Sequence, residues 1–226
     1  MGLDRTIRKH STAEQAVEDS LKDLNSEYIG INITQLTKLK ESGKSNILLI
    51  GLPGSGKTTV GKMLAAKLNC SVYDVDDHHL EKVWGCPVAD KLTELGDYGF
   101  LEAEGHATKQ ISKRNSIISL TGSNPLNSEA MRHLKKEGYV IYLESAHESI
   151  VKRCEIMRVN RIVGQSSYSL SDILQFRRGV YEKWYDSKIK IYDGMRQDEI
   201  ADEIIRELKF GVQMNTSTEE VEHPNK

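Results

Sequence analysis

The feature that most constrains this 226-residue chain is a short apolar run, Ile47-Leu48-Leu49-Ile50, that passes directly into Gly51-Leu52-Pro53-Gly54-Ser55-Gly56-Lys57-Thr58. The second stretch has the form G-x-x-x-x-G-K-[ST]. A bounded apolar run of this length reads as a strand buried on both faces, as happens in a parallel sheet covered by helices. Behind it Val60, Met63, Leu64 and Leu68 recur at helical spacing. Strand, glycine-rich turn and helix, in that order, build a cradle for phosphate. Glycines let successive backbone N–H groups turn inward, and the helix N-terminus adds partial positive charge. Lys57 then reaches the β- and γ-phosphates and Thr58 offers a hydroxyl to Mg²⁺. The residues expected around a nucleoside triphosphate are Gly51, Pro53, Gly54, Ser55, Gly56, Lys57, Thr58 and Thr59. A glycine-rich turn with no ligand would leave the lysine unexplained.

Four further apolar runs read as strands, at 72–73, 117–120, 139–143 and 189–192. Helical patterns lie between and after them, at 100–111, 126–137, 147–157, 170–186 and 197–209. Alternating strands and helices predict an α/β fold, a parallel sheet with helices on both faces. Residues 1–45 form a polar lead-in with two amphipathic pieces, one carrying Ala13, Ala16, Val17, Leu21 and Leu24, the other running from Thr34 to Leu39 and ending near Gly43. Either they pack on the main domain or they hang loose. Residues 46–210 make the main domain, and 211–226 are polar and aperiodic, a disordered tail or linker.

Charge excludes some partners. Lys and Arg total 31 against 33 Asp and Glu, a net charge of −2, so the chain has no global field to hold a nucleic acid. No apolar run is long enough to span a membrane. Three scattered cysteines, Cys70, Cys86 and Cys154, suggest neither a disulfide scaffold nor a zinc site. With no secretory signal at the N-terminus, a cytoplasmic location is expected, a mitochondrial one being the alternative.

The second strand ends in Tyr73-Asp74-Val75-Asp76-Asp77. Ligands of such sheets sit at the carboxyl ends of the strands, so these carboxylates are expected to face the phosphate site. Asp74 and Asp76 point the same way on a period of two. One would hold a Mg²⁺-bound water, while the other would accept the proton of a substrate hydroxyl. An Asp-rich helix cap is the alternative. His78 and His79 are adjacent and cannot chelate together, so they read as surface or cleft residues.

From Asn46 to Tyr192 the chain resembles the shikimate kinase family. The matching residues are the strand and loop continued by Thr58-Thr59-Val60-Gly61, then Asp74-x-Asp76, Gly85-x-x-Val88, Phe100-Leu101-x-x-Glu104, Thr121-Gly122, Arg161 in a polar lid segment, and Leu174-x-x-Arg177-x-x-x-Tyr181. The resemblance implies a three-layer P-loop kinase fold with a five-stranded parallel sheet flanked by helices, a helical substrate-binding region and a lid. It implies ATP and Mg²⁺ as cofactors. Two departures argue against shikimate as the acceptor. Leu101 stands where members that phosphorylate shikimate carry an arginine for its carboxylate, and Gly122-Ser123-Asn124 replaces three glycines. The segments 118–125, 161–165, 176–178 and 183–186 are similar to the N-terminal shikimate kinase-like domain of animal threonine synthase-like 1 proteins. In those proteins a larger pyridoxal-phosphate domain follows, a possible further partner if this chain is a fragment.

The expected catalytic residues are therefore Lys57, Asp76 and Arg161; Thr58 and Asp74 are the metal ligands and Arg153 stacks on adenine. Asp76, Gly122, Ser123, Asn124 and Arg177 bind substrate. Arg177 lies on an apolar helix stripe and must find an anion, either a ligand or an internal carboxylate such as Glu104 or Asp76. Arg178, with Glu182 four residues on, reads as a solvated pair. Ser123 or Asn124 either reads a polar substrate or caps the helix near Pro125. Tyr181, Trp184, Tyr185 and Tyr192 read as core. The function these residues imply is phosphoryl transfer from ATP to a hydroxyl of a small metabolite. The alternative is a nucleotide-binding regulatory module that has lost its chemistry.

Overall fold

The computed structural model describes residues 31–156 and 162–210, apart from the side chains of Asp77, His78 and Phe210. Five parallel strands form one sheet: β1 (Asn46–Ile50), β2 (Ser71–Asp74), β3 (Ser116–Ser119), β4 (Gly138–Ser145) and β5 (Ser187–Ile191), in the spatial order β2-β3-β1-β4-β5. The helices are α1 (Thr37–Ser42), α2 (Lys57–Lys67), α3 (Glu81–Trp84), α4 (Val88–Thr108), α5 (Ser128–Leu134), α6 (His147–Ile156), α7 (Leu170–Tyr181) and α8 (Gln197–Phe210).

The alternation of β1 explains the layers. Ile47 and Leu49 pack on one face with Val60, Leu64 and Ile204, whereas Leu48 and Ile50 pack on the other with Met131, Leu134 and Leu174. Every residue of β1 is buried, as expected for a central strand covered on both sides. The connection leaving β1 runs to β2 on one side of the sheet, and the connection leaving neighbouring β3 runs to β4 on the other. Right-handed crossovers put α2 and α5 on opposite faces. Between the carboxyl ends of β1 and β3 the chain therefore opens a crevice, and the ligand site falls there.

Of the two possibilities for the segment before β1, packing on the domain is what is found for its described part. Ile33, Leu36 and Leu39 are buried in the same cluster as Ile200, Ile204 and Leu208 of α8. Gly43 ends α1 in the left-handed conformation, as the sequence suggests. The first amphipathic piece and the segment 211–226 lie outside the described residues.

The helix expected at 100–111 starts earlier, at Val88, and bends at Gly96, where φ 64° and ψ 177° are accessible only to glycine without strain. The pattern expected at 126–137 is a 3₁₀ turn, Asn124–Leu126, followed by α5. Two aromatic and histidine assignments are corrected. Tyr192 is 66% exposed, since it lies just past β5, while Tyr181 is fully buried. His79 is a core residue, because its ring bridges Ala107 O (2.6 Å) and the Tyr73 hydroxyl (2.9 Å). The three cysteines are free. Among the described residues no helix is long and apolar enough to cross a membrane.

Candidate active site

The loop between β1 and α2 is shaped by its glycines. Gly54 (φ 74°) and Gly56 (φ 88°) take left-handed conformations, and Gly56 occupies the N-cap of α2 with no side chain bonded to the helix end. The first-turn amides of a helix have no intrahelical acceptor, so those of α2 are presented to whatever enters the loop. Gly51 and Ser55 lie beneath it: a Cβ on Gly51 would fall 2.6 Å from Ser55 Oγ, and Ser55 is 2% exposed. They shape the cradle from below.

A cavity of about 410 Å³ opens over the loop. Pro53, Gly54, Gly56, Lys57, Thr58 and Thr59 form one wall, with Asp76, Gly122, Ser123 and Arg177 across from them. Ten of the residues expected to bind nucleotide or substrate thus meet around one space. Lys57 Nζ donates to Gly51 O (2.9 Å) and Leu52 O (3.3 Å). Burial pulls its pKa down to about 8, against the opposing pull of the Asp76 and Asp74 carboxylates.

Thr58 and Asp74 stand together, Thr58 Oγ1 donating to Asp74 Oδ2 at 2.6 Å. The other oxygen, Asp74 Oδ1, accepts the Asp76 amide (3.1 Å) and turns the chain into the π-helical segment Asp76–Leu80. Asp74 is thereby a buried neighbour of the loop hydroxyl and Asp76 a cavity wall. Hydroxyl and carboxylate oxygens side by side are a hard donor set that suits Mg²⁺.

Arg177 is 3% exposed. Its Nη1 donates to Gly122 O (3.1 Å) and its Nη2 to Val163 O (3.2 Å), while Nε has no acceptor. Tyr181 fixes the same carbonyl, its hydroxyl donating to Gly122 O at 2.6 Å. Glu104 is not an ion-pair partner of this arginine. Its Oε1 instead accepts from Thr121 Oγ1 (2.6 Å) and Ser123 Oγ (2.7 Å), and its Oε2 is buried without a partner. Complete burial raises the Glu104 carboxyl to about 7; the two hydroxyl donors and Arg177 hold it down, and Asp76 pushes it up. In the sequence Glu104 stood in Phe100-Leu101-x-x-Glu104 and as a candidate partner of Arg177, whereas its hold on the Ser123 hydroxyl comes from tertiary packing.

The structure places several other expected residues. Asn124 does not reach the cavity, because both ends of its amide are used inside: Oδ1 accepts the Thr121 amide (3.1 Å) and Nδ2 donates to Thr108 Oγ1 (2.9 Å). Arg178 is not paired with Glu182, which bonds Lys188 (2.8 Å); the Arg178 guanidinium turns to Ser145 O at the end of β4. Arg153, expected to stack on adenine, sits beside the loop, its Nη1 donating to Gly54 O at 3.2 Å. Arg161 lies outside the described residues. The role of Val88, Ala89 and Leu92 as a wall of this cavity was missed, although Val88, Leu92 and Leu95 recur at helical spacing in the sequence.

Comparison with known proteins adds to this geometry. The family profile described as shikimate kinase matches residues 53–209. Threonine synthase-like 1 of Pongo abelii is 46% identical over 168 residues, covering 74% of this chain, which spans only 23% of that relative's length. The shikimate kinase of Thermodesulfovibrio yellowstonii is 34% identical over 168 residues, covering 73% of this chain and 95% of the relative. Among solved structures, a shikimate kinase from Acinetobacter baumannii in complex with shikimate superposes with a TM-score of 0.64 at 23% identity, over 75% of this chain and 95% of that one.

Proposed function

We propose, from the premise that this chain belongs to the shikimate kinase family, that it transfers the terminal phosphoryl group of ATP to a hydroxyl of a small anionic metabolite. The observation that carries this reading is the convergence of Lys57, Asp76 and Arg177 on the cavity over the 51–58 loop. Loop and helix amides would bind the phosphates. Lys57, with its lowered pKa, would regain a full positive charge against the β- and γ-oxygens. Asp76 would receive the acceptor hydroxyl's proton as that oxygen attacks phosphorus. Arg177, whose Nε lacks an acceptor, would bind an anionic group of the acceptor.

Thr58 and Asp74 would hold Mg²⁺, directly and through water. When bound, the ion neutralises charge on the phosphate oxygens and fixes their orientation. Arg153, beside the loop at Gly54 O, would cover the nucleotide, and Arg161 would belong to a lid over the site. Shikimate, the ligand of the Acinetobacter enzyme, fits poorly with Leu101 in the position of an arginine. Leu101 and the Ser123-Asn124 pair also favour a second reading, a nucleotide-binding regulatory module.

An ADP-release assay with a panel of hydroxy acids separates the two. Stimulation by one acid, lost in Asp76→Asn while nucleotide affinity is kept, supports the kinase. Unchanged turnover in Asp76→Asn would exclude the role given to that carboxylate, and no stimulation by any acid favours the module.

A further inference from the structure

A second cavity, of about 480 Å³, adjoins the first and shares Val163 and Arg177 with it. Its remaining walls are nearly all apolar: Leu101 of α4, Leu126 of the 3₁₀ turn, Ile173 and Phe176 of α7, and Tyr168. Phe176 and Tyr168 are 65% and 68% exposed, although large aromatic rings gain most from burial. Asp172, the one carboxylate in the wall, is engaged at the start of α7, accepting from Ser169 Oγ at 2.5 Å. The remaining charge is Arg177, anchored through both terminal nitrogens to backbone carbonyls on the boundary between the two cavities.

We propose that this second cavity receives an apolar substituent of the phosphoryl acceptor, so that the acceptor is a hydroxy acid bearing a hydrocarbon or aromatic group. The inference rests on the kinase reading and narrows its substrate class. Three contacts order such a molecule. The hydroxyl lies toward Asp76 and the loop, the anionic group toward Arg177, and the hydrocarbon between Leu101 and Phe176. The spacing supports this: Leu101 lies three residues before Glu104, on the same side of α4, and Glu104 anchors the Thr121 and Ser123 hydroxyls in the wall of the first cavity. A polar face for the reacting end therefore passes directly into an apolar face for the other. The volume is ample for a phenyl ring or a branched aliphatic chain, since a cavity of about 150 Å³ already holds benzene. A compact polyhydroxylated acid would leave this space to water and the aromatic rims uncovered.

The test is calorimetric titration of the full 226-residue chain, saturated with Mg²⁺ and a non-hydrolysable ATP analogue, with glycolate and with 3-phenyllactate. The expected result is binding of 3-phenyllactate at least about tenfold tighter than glycolate. That preference should fall to about threefold or less in Phe176→Ser, a position exposed enough to tolerate the change, and in Leu101→Asn. Affinity for the ATP analogue should stay unchanged in both variants. Equal affinities in the wild type, no binding of either acid, or a preference surviving both substitutions would overturn the proposal. With the analogue still bound, such a result removes only this substrate class; failure of the analogue to bind removes the kinase reading as well.

Discussion

Replacing Glu104 by glutamine alters how stability depends on pH. Glu104 is fully buried, and its carboxyl is raised from an ordinary 4.5 to about 7. Between those values the folded protein binds more protons than the unfolded chain, so stability falls as pH rises. The contribution is fully present below about 4.5 and lost as pH passes through about 7. At 1.36 kcal/mol per pH unit, the interval amounts to about 3 kcal/mol. Glutamine keeps an Oε1 to accept from Thr121 and Ser123 but never ionises. Urea unfolding of both proteins at pH 5, 6, 7 and 8 is the assay. Wild type and Glu104→Gln should be of similar stability at pH 5. The variant should become more stable by about 3 kcal/mol at pH 8, with most of the divergence accrued by pH 7. A gap that stays constant across the series, or one that closes as pH rises, would refute the burial argument for this carboxyl.

Lys57, lowered to about 8, regains basicity when phosphate approaches, so nucleotide binding should take up a proton above pH 8 and weaken as pH rises further. Titrations at pH 8.5 in buffers of different ionisation enthalpy measure that uptake, and a value of zero would contradict it. A Cβ on Gly105 would fall 2.0 Å from Asn127 Nδ2, displacing the side chain that caps α5 through the Ala130 amide and also bonds Leu101 O. Gly105→Ala should therefore cost about 1–2 kcal/mol in denaturant unfolding; an unchanged midpoint would show that Asn127 relaxes without loss. Leu36→Ala, at a fully buried position packed with α8, should cost about 2–5 kcal/mol, and no loss would mean that this segment is not part of the cooperative unit.

The sheet and the phosphate loop were legible because their signals are local. A run such as Ile47-Leu48-Leu49-Ile50 has few alternatives to a covered central strand, and glycines followed by Lys57-Thr58 state the chemistry within eight residues. Asp76 and Arg177 were legible from the geometry of strand ends and from the burial of a charge on an apolar stripe. Residues whose surroundings come from distant segments were not. His79 is buried by Ala107, 28 residues away, and Arg178 turns from its helical neighbour Glu182 to Ser145, 33 residues away. Asn124 has the polarity of a ligand-reading residue, yet the buried Thr108 hydroxyl takes its amide. The start of α4 was missed although Val88, Leu92 and Leu95 recur at helical spacing, because that stripe is short and is broken at Gly96 before the stronger pattern begins at Phe100. The second cavity was equally hidden, as its walls combine α4, the 3₁₀ turn and α7.

The central claim is that the main-chain amides at 51–58, together with Lys57, bind the phosphates of a nucleotide. Calorimetric titration of Mg²⁺-ATP into the wild type and into Lys57→Ala tests it most directly. One saturable site in the wild type, with no measurable binding in the variant, is the predicted result. Equal affinity in both proteins, or a wild type that takes up no nucleotide, would contradict it.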